Sequence, residues 1–305
     1  HRVIHVANEL GYALRTSRAG VPQTIAVLEN FDPTNGPQDS YFSDVRKALR
    51  ERAVENMMSL AFFPTVDALI DAADEFSGFV SIGPAPIAQD DLDRLYEALS
   101  HGVFIDINPA PALFHSVRPD LQQTVIDAIY ALREQGRQRI AFIGGAGHMM
   151  GSHVFAQDPR TVAFNEWAHL LDMPTDGYVC ASGPFTVENG RSQAEALLDA
   201  CTDDLPDAVL VAADPLAVGV IQVLAARGLR VPDQIAAVSI DNLEVCEYTA
   251  PTLSSYAIDR SELAETALML LSDAIVGRFM HKHHVLLSTR LVVRQSFIPA
   301  NGATA

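Results

Sequence analysis

Short, uninterrupted apolar runs recur along this chain, each separated from the next by a stretch of helical spacing. Thr24-Ile25-Ala26-Val27-Leu28, Gly78-Phe79-Val80-Ser81-Ile82-Gly83, Val103-Phe104-Ile105-Asp106-Ile107 and Arg139-Ile140-Ala141-Phe142-Ile143 are runs of this kind, followed by others at 178–181, 208–212 and 235–240. A strand that is apolar on consecutive residues has both faces buried, as in a parallel sheet covered by helices. The intervening segments supply those helices. Residues 39–56 carry Phe42, Val45 and Leu49 on one stripe; the stretch from Leu121 carries Val125, Ile129 and Leu132 and stops at Gly136. Further helices are predicted around 90–99 and over 160–171, 186–201 and 215–226. This alternation predicts an α/β fold of two doubly wound parallel-sheet lobes.

The tail breaks the rhythm, with a strand over 253–258, a helix over 261–275 and a long strand region over 285–297. Segments that return late complete sheets begun earlier, so three crossovers between the lobes are expected, with a hinged cleft at the carboxyl ends of the strands. The division that follows is 21–120 plus 256–284 for the N-terminal lobe and 121–255 plus 285–298 for the C-terminal lobe, with 1–20 before them and a tail at 299–305.

Composition narrows the function. At 305 residues the chain supports two full cores, and 49% hydrophobic with 19% charged residues indicates a folded protein. The formal charge is −17, from 21 Lys+Arg against 38 Asp+Glu, and such a surface repels phosphate backbones. Cys180, Cys201 and Cys246 form neither a disulfide framework nor a metal pattern, which suits a reducing, cytoplasmic setting. No run approaches a membrane span and no signal-peptide pattern is present, so no membrane partner is expected.

Two constellations invite other chemistry. Gly144-Gly145-Ala146-Gly147-His148-Met149-Met150-Gly151 follows a strand but fails the G-x-G-x-x-G spacing, and reads as a loop at the cleft rim. His281-Lys282-His283-His284 reads as a solvated turn, because adjacent histidines on a strand point to opposite faces. No G-x-S-x-G elbow, P-loop or H-E-x-x-H occurs. No enzyme, cofactor or metal is therefore expected.

His1-Arg2-Val3-Ile4-His5-Val6-Ala7-Asn8-Glu9-Leu10-Gly11-Tyr12 places Val3, Val6, Ala7 and Leu10 at helical spacing, with Gly11 at a C-cap position. The pattern R-V-I-x-x-A-x-E-L-G-Y resembles the last helix of the helix-turn-helix headpiece in the LacI/GalR family, so 1–20 is expected to be a remnant of headpiece and linker. Gly136-Arg137-Gln138-Arg139-Ile140-Ala141-Phe142-Ile143-Gly144-Gly145 resembles the family's G-H-x-R-I-A-F-I-G-G. Asp158-Pro159-Arg160, Ala212-Ala213-Asp214-Pro215-Leu216-Ala217-Val218-Gly219, Arg230-Val231-Pro232-Asp233-Gln234-Ile235, Val238-Ser239-Ile240-Asp241-Asn242 and Pro251-Thr252-Leu253-Ser254-Ser255 follow in family order, closed by an R-x-S strand at 290–296. Two features depart from the pattern. Residues 15–24 lack the A-R-x-L of a hinge helix, and Ala213 stands where many members carry a polar residue.

The resemblance implies a type I periplasmic-binding-protein-like fold and a sugar-responsive transcriptional regulator, this chain being its effector-binding and dimerisation core. The implied partners are a saccharide effector, with a galactoside as first candidate from Asp39-Ser40-Tyr41-Phe42, and operator DNA through the N-terminal headpiece. A homodimer is also implied, and the apolar stretches 45–49 and 216–224 are candidate contributors to it. A sugar site needs carboxylates for vicinal hydroxyls, a donor fork and a flat apolar face. Positions matching the family's contacts are Phe42 and Phe185 for stacking, with Asp106, Arg160 and Asp241 for polar contacts and Arg160 as a surface-facing fork. Asp214 fits better as the organiser of its turn and helix start. A solute-binding protein of a sugar transporter and a two-lobed α/β enzyme remain as alternatives.

Overall fold

The computed structural model describes residues 24–31, 40–146, 158–201 and 204–300. The candidate headpiece remnant, the linker and most of the glycine-rich loop lie outside them. Two six-stranded sheets form the molecule. In the first lobe the chain runs β1 (Thr24–Glu29), α1 (Ser40–Glu55), β2 (Ser59–Phe63), α2 (Val66–Asp71), β3 (Phe79–Ile82), α3 (Gln89–Ala98), β4 (Gly102–Ile105) and β5 (His115–Pro119). The second lobe repeats the plan after α4 (Leu121–Glu134), with β6 (Ile140–Gly144), α5 (Pro159–Leu170), β7 (Val179–Ala181), α6 (Val187–Ala200), β8 (Ala208–Val211), α7 (Asp214–Ala226), β9 (Ala236–Asp241) and β10 (Ser254–Ala257). Then α8 (Arg260–Ile275) and β11 (His284–Leu287) return to the first lobe, and β12 (Arg290–Val292) closes the second.

The strand orders are β11-β5-β4-β3-β1-β2 and β12-β10-β9-β8-β6-β7. They are the same order, with each strand of the first sheet matched by one of the second. All pairings are parallel except β10 with β12. In each sheet the order reverses beside the first strand, at β1/β3 and at β6/β8, and ligands of open α/β sheets bind beyond the carboxyl ends at such points.

The apolar runs become the central strands β1, β3, β4, β6, β8 and β9, fully buried apart from the two ends of β1. Helix α1 buries Phe42, Val45 and Leu49, and α4 buries Val125, Ile129 and Leu132 before Gly136 turns the chain at φ 90°. Asp120, Asp158, Thr186 and Asp259 cap α4, α5, α6 and α8 through their side chains. Helices α6 and α7 cross where glycine meets backbone: a Cβ on Gly190 would lie 2.1 Å from the Leu216 carbonyl oxygen, and one on Gly219 would lie 2.2 Å from that of Val187.

Three differences from the sequence reading stand out. The expected single strand region over 285–297 is two strands in different sheets, so residues 285–287 belong to the first sheet and the last crossover falls at Ser288 and Thr289. Likewise Tyr256 and Ala257 pair within the second sheet, so that crossover comes after them. Second, β2, α2 and β5 had no expectation attached. Third, Val45, Leu49, Leu216 and Leu224 are buried within their own lobes, so the apolar side chains of the stretches 45–49 and 216–224 serve the lobe cores. Among the described residues no helix is long and apolar enough to cross a membrane.

Candidate functional site

Asp106 follows the last residue of β4, and Asp241 is the last residue of β9. Because β4 and β9 hold the same place in their sheets, the two carboxylates are counterparts, one from each lobe. Both have left-handed backbone, φ 73° at Asp106 and φ 110° at Asp241, and Asn242 follows at φ 52°. Asp and Asn tolerate this region better than other non-glycine residues, yet φ 110° is strained and has to be held by its surroundings.

Asp214 supplies that hold. It is fully buried at the start of α7, where Oδ1 accepts from the hydroxyls of Ser239 and Ser255 and Oδ2 accepts from the Leu243 N–H at 2.6 Å. The Ser255 hydroxyl in turn accepts from the Asn242 N–H at 3.0 Å, and Arg294 donates to the Asn242 side chain at 2.8 Å. Burial raises the Asp214 pKa, against the hydrogen bonds from Ser239, Leu243 and Ser255. The turn that aims Asp241 is thus tied to β9, β10 and α7.

Arg160 enters from the start of α5. Its Nε and Nη2 donate to the two carboxylate oxygens of Asp158 at 2.7 and 2.8 Å, and Nη1 donates to the Ala212 carbonyl at 2.7 Å. The guanidinium lies over the Phe185 ring, 4.7 Å from its centre. Gly145 lets that ring approach, since a Cβ there would fall 2.6 Å from it. Burial opposes the Arg160 charge, but Asp158, and then Asp241 and Asp106, outweigh it and raise the pKa. The expected surface-facing fork is therefore corrected: the side chain is only 12% exposed, and its Nε/Nη2 edge is closed by Asp158.

Tyr41, in the first turn of α1, is where the two lobes meet electrically. Burial raises its pKa well above the ordinary value; Asp106 and Asp241 add to the shift, while Arg260 and Arg160 oppose it. Arg260, at the start of α8, donates through Nη1 to the carbonyls of Asp241 at 2.8 Å and Ile258 at 2.9 Å, and through Nη2 to Asp44 of α1 at 3.4 Å. It connects the second lobe's β9 to the first lobe's α1.

Arg160 thus stacks on Phe185 and feels the charges of Asp241 and Asp106, one from each lobe. Phe42 is 5% exposed and packs edge-on to Phe31 and to Tyr41, at 5.8 and 5.1 Å between ring centres, in the core beside these residues. Sequence reasoning did not nominate Tyr41, Asp158 or Arg260 as site residues. Asp158 alone carried a local signal, as the cap two residues before Arg160. No group of His, Cys, Asp and Glu among the described residues could hold a metal.

The sequence matches a family model described as a periplasmic binding protein-like domain over residues 129–297. It is 36% identical to the HTH-type transcriptional regulator LacR of Lactobacillus helveticus, across 98% of this chain and 89% of that protein. Its fold is that of a transcriptional regulator CelR–cellobiose complex, with a TM-score of 0.73 at 23% identity, covering 97% of this chain and 89% of the other. The Lac repressor dimer bound to operator and the anti-inducer ONPF is similar, with a TM-score of 0.71 at 19% identity over 96% and 97% of the two chains. The similarity to LacR spans both lobes and the crossovers between them, and this chain belongs to the LacI/GalR family of transcriptional regulators.

Proposed function

We propose that the interlobe cleft binds a saccharide effector and that Asp106, Arg160, Phe185 and Asp241 contact it, with a galactoside as the first candidate. The observation that carries this reading is the convergence of counterpart carboxylates from the two lobes on one arginine–aromatic stack. Carboxylates accept paired hydrogen bonds from neighbouring hydroxyls, and an aromatic face takes the C–H side of a sugar ring. Three of the five Arg160 N–H groups are engaged within the protein, which leaves one on each terminal nitrogen for a ligand oxygen. A ligand held from both lobes fixes their relative angle, and a homodimer passes that angle to operator DNA through a helix-turn-helix segment preceding the core.

A thermal-shift screen of mono- and disaccharides, with lactose, galactose and cellobiose included, tests the reading, because a ligand that binds only the folded state raises the melting temperature. A shift with one saccharide that Asp241→Ala abolishes supports it. A screen with no shift, or a shift that survives Asp241→Ala and Arg160→Lys alike, overturns it.

A further inference from the structure

The amino ends of the first sheet's strands, opposite the cleft, enclose a second group of polar side chains. A cavity of about 90 Å³ lies where β4, β5 and β11 begin, lined by His101, His115, His281 and Lys282 with Phe279 and Met280. That is room for several waters or for one tetrahedral oxyanion. His115 is 3% exposed, and its Nδ1 accepts from the His283 N–H at 3.0 Å. Burial and its cationic neighbours hold its pKa at about 4, so at neutral pH its one ring proton sits on Nε2. That Nε2–H has no acceptor among the described residues, and a buried donor without a partner is costly. The Lys282 ammonium lies over the Tyr96 ring, 5.3 Å from its centre, and no described carboxylate pairs with it. Burial lowers the pKa of Lys282, and burial and then Lys282 lower that of His101; nothing negative counters either shift. In a chain of net charge −17, this corner offers a cation and N–H donors. The described residues offer no group that could hold a metal, and the ammonium would repel one.

We propose that this cavity binds a small oxyanion, inorganic phosphate or the phosphoryl head of a monoester, with Lys282 supplying the charge, His115 Nε2–H a fixed donor, and the imidazoles of His101 and His281 further N–H groups. The site is separate from the cleft and does not rest on the saccharide reading. Each oxyanion oxygen accepts from a donor that the protein leaves unused, and charge-assisted hydrogen bonds of this kind are the strong ones. The bound ion bridges His101 before β4, His115 at the start of β5 and the segment between α8 and β11. It therefore fastens the stretch by which the chain returns to the first lobe. Strand β4 carries His101 just before its first residue and Asp106 just after its last, so the two sites occupy opposite ends of one strand.

The experiment titrates the chain with sodium phosphate and, in parallel, with glycerol 3-phosphate, and reads the melting temperature against sodium chloride at matched ionic strength. The wild type is expected to show a saturating rise. Lys282→Gln, which keeps the length of the half-buried side chain but not its charge, should need about tenfold more ligand or worse for the same rise, the loss of one charge-assisted hydrogen bond. Arg160→Lys should respond to phosphate as the wild type does, which separates this cavity from the cleft. A rise with phosphate alone assigns the free ion, and one with the ester, alone or as well, assigns the phosphoryl head. Phosphate also stabilises proteins generally by exclusion from their surfaces, so an equal rise in Lys282→Gln and wild type overturns the proposal. A response no larger than that to chloride overturns it too, as does one that Arg160→Lys abolishes and Lys282→Gln leaves intact. If Lys282→Gln does not fold, His281→Gln at the exposed rim takes its place, with the same loss expected. A saccharide screen without a shift leaves this result untouched.

Discussion

Arg160 makes its three hydrogen bonds and its aromatic stack from one planar group, so no other side chain replaces it. Arg160→Lys keeps the charge but loses the two-point pairing and the stack, and should weaken effector binding by about 1–3 kcal/mol, readable by calorimetry. Arg160→Ala should also destabilise the fold by about 3–5 kcal/mol, because it leaves the carboxylate of Asp158, 11% exposed, without its cation. A urea melt of that variant at wild-type stability would contradict the arrangement. Asp214→Ala strips acceptors from two buried hydroxyls and a buried N–H, and each buried donor left without a partner costs about 1–3 kcal/mol. The residue scale also shows where sequence reading stops. Asp106 and Asp241 are legible because each ends an apolar run. Tyr41 and Arg260 are not, because what makes them part of the site is an encounter between segments some two hundred residues apart. Phe42 illustrates the converse: an aromatic that the family pattern makes a stacking face is buried against Phe31 and Tyr41.

At the level of elements, the α6–α7 crossing and the β11 edge make separate predictions. Gly219→Ala pushes a methyl group into the Val187 carbonyl, which a helix backbone cannot relax, and should cost about 1–3 kcal/mol or more in urea unfolding. Gly219 was legible only as part of a motif; its packing role follows from Gly190 lying opposite. Strand β11 is tethered through imidazole, since the His283 N–H donates to His115 Nδ1 at 3.0 Å and the Ser116 hydroxyl pairs with His284 Nδ1 at 2.8 Å. Burial, with Lys282 and the neighbouring histidines, lowers the His115 pKa to about 4. Between the usual histidine value of about 6.5 and that point the unfolded chain binds a proton that the folded chain refuses, so stability falls as pH falls through this window. The melting temperature should drop between neutral pH and the lower end of that window, and His115→Asn, which retains an acceptor, should flatten the dependence; an unaltered pH profile in the variant would rule His115 out. Strands β1, β3 and β4 were readable because burial on both faces leaves a continuous apolar run. Strand β2 was not, because an edge position leaves it only partly buried.

For the whole molecule, charge and topology are the governing quantities. With a net charge of −17, the 305-residue chain should leave duplex DNA unretarded in a gel shift at physiological salt, and retention would show a nucleic-acid surface that the composition does not suggest. The lobe count was legible from the alternation alone, but the last crossover was not, because β11 and β12 are consecutive apolar strands whose division between sheets is settled by pairing. All the crossovers leave from the β5/β11 and β10/β12 edges of the two sheets. The lobes are therefore joined along one side, and rotation about that side changes the gap between Asp106 and Asp241 while bending neither sheet. Matching seats on two jaws with a common spine make a caliper. On the proposed reading, a molecule that spans both seats sets the opening, while one too short to span them touches a single jaw and leaves the gauge unread, so length as well as chemistry would decide which ligand is reported.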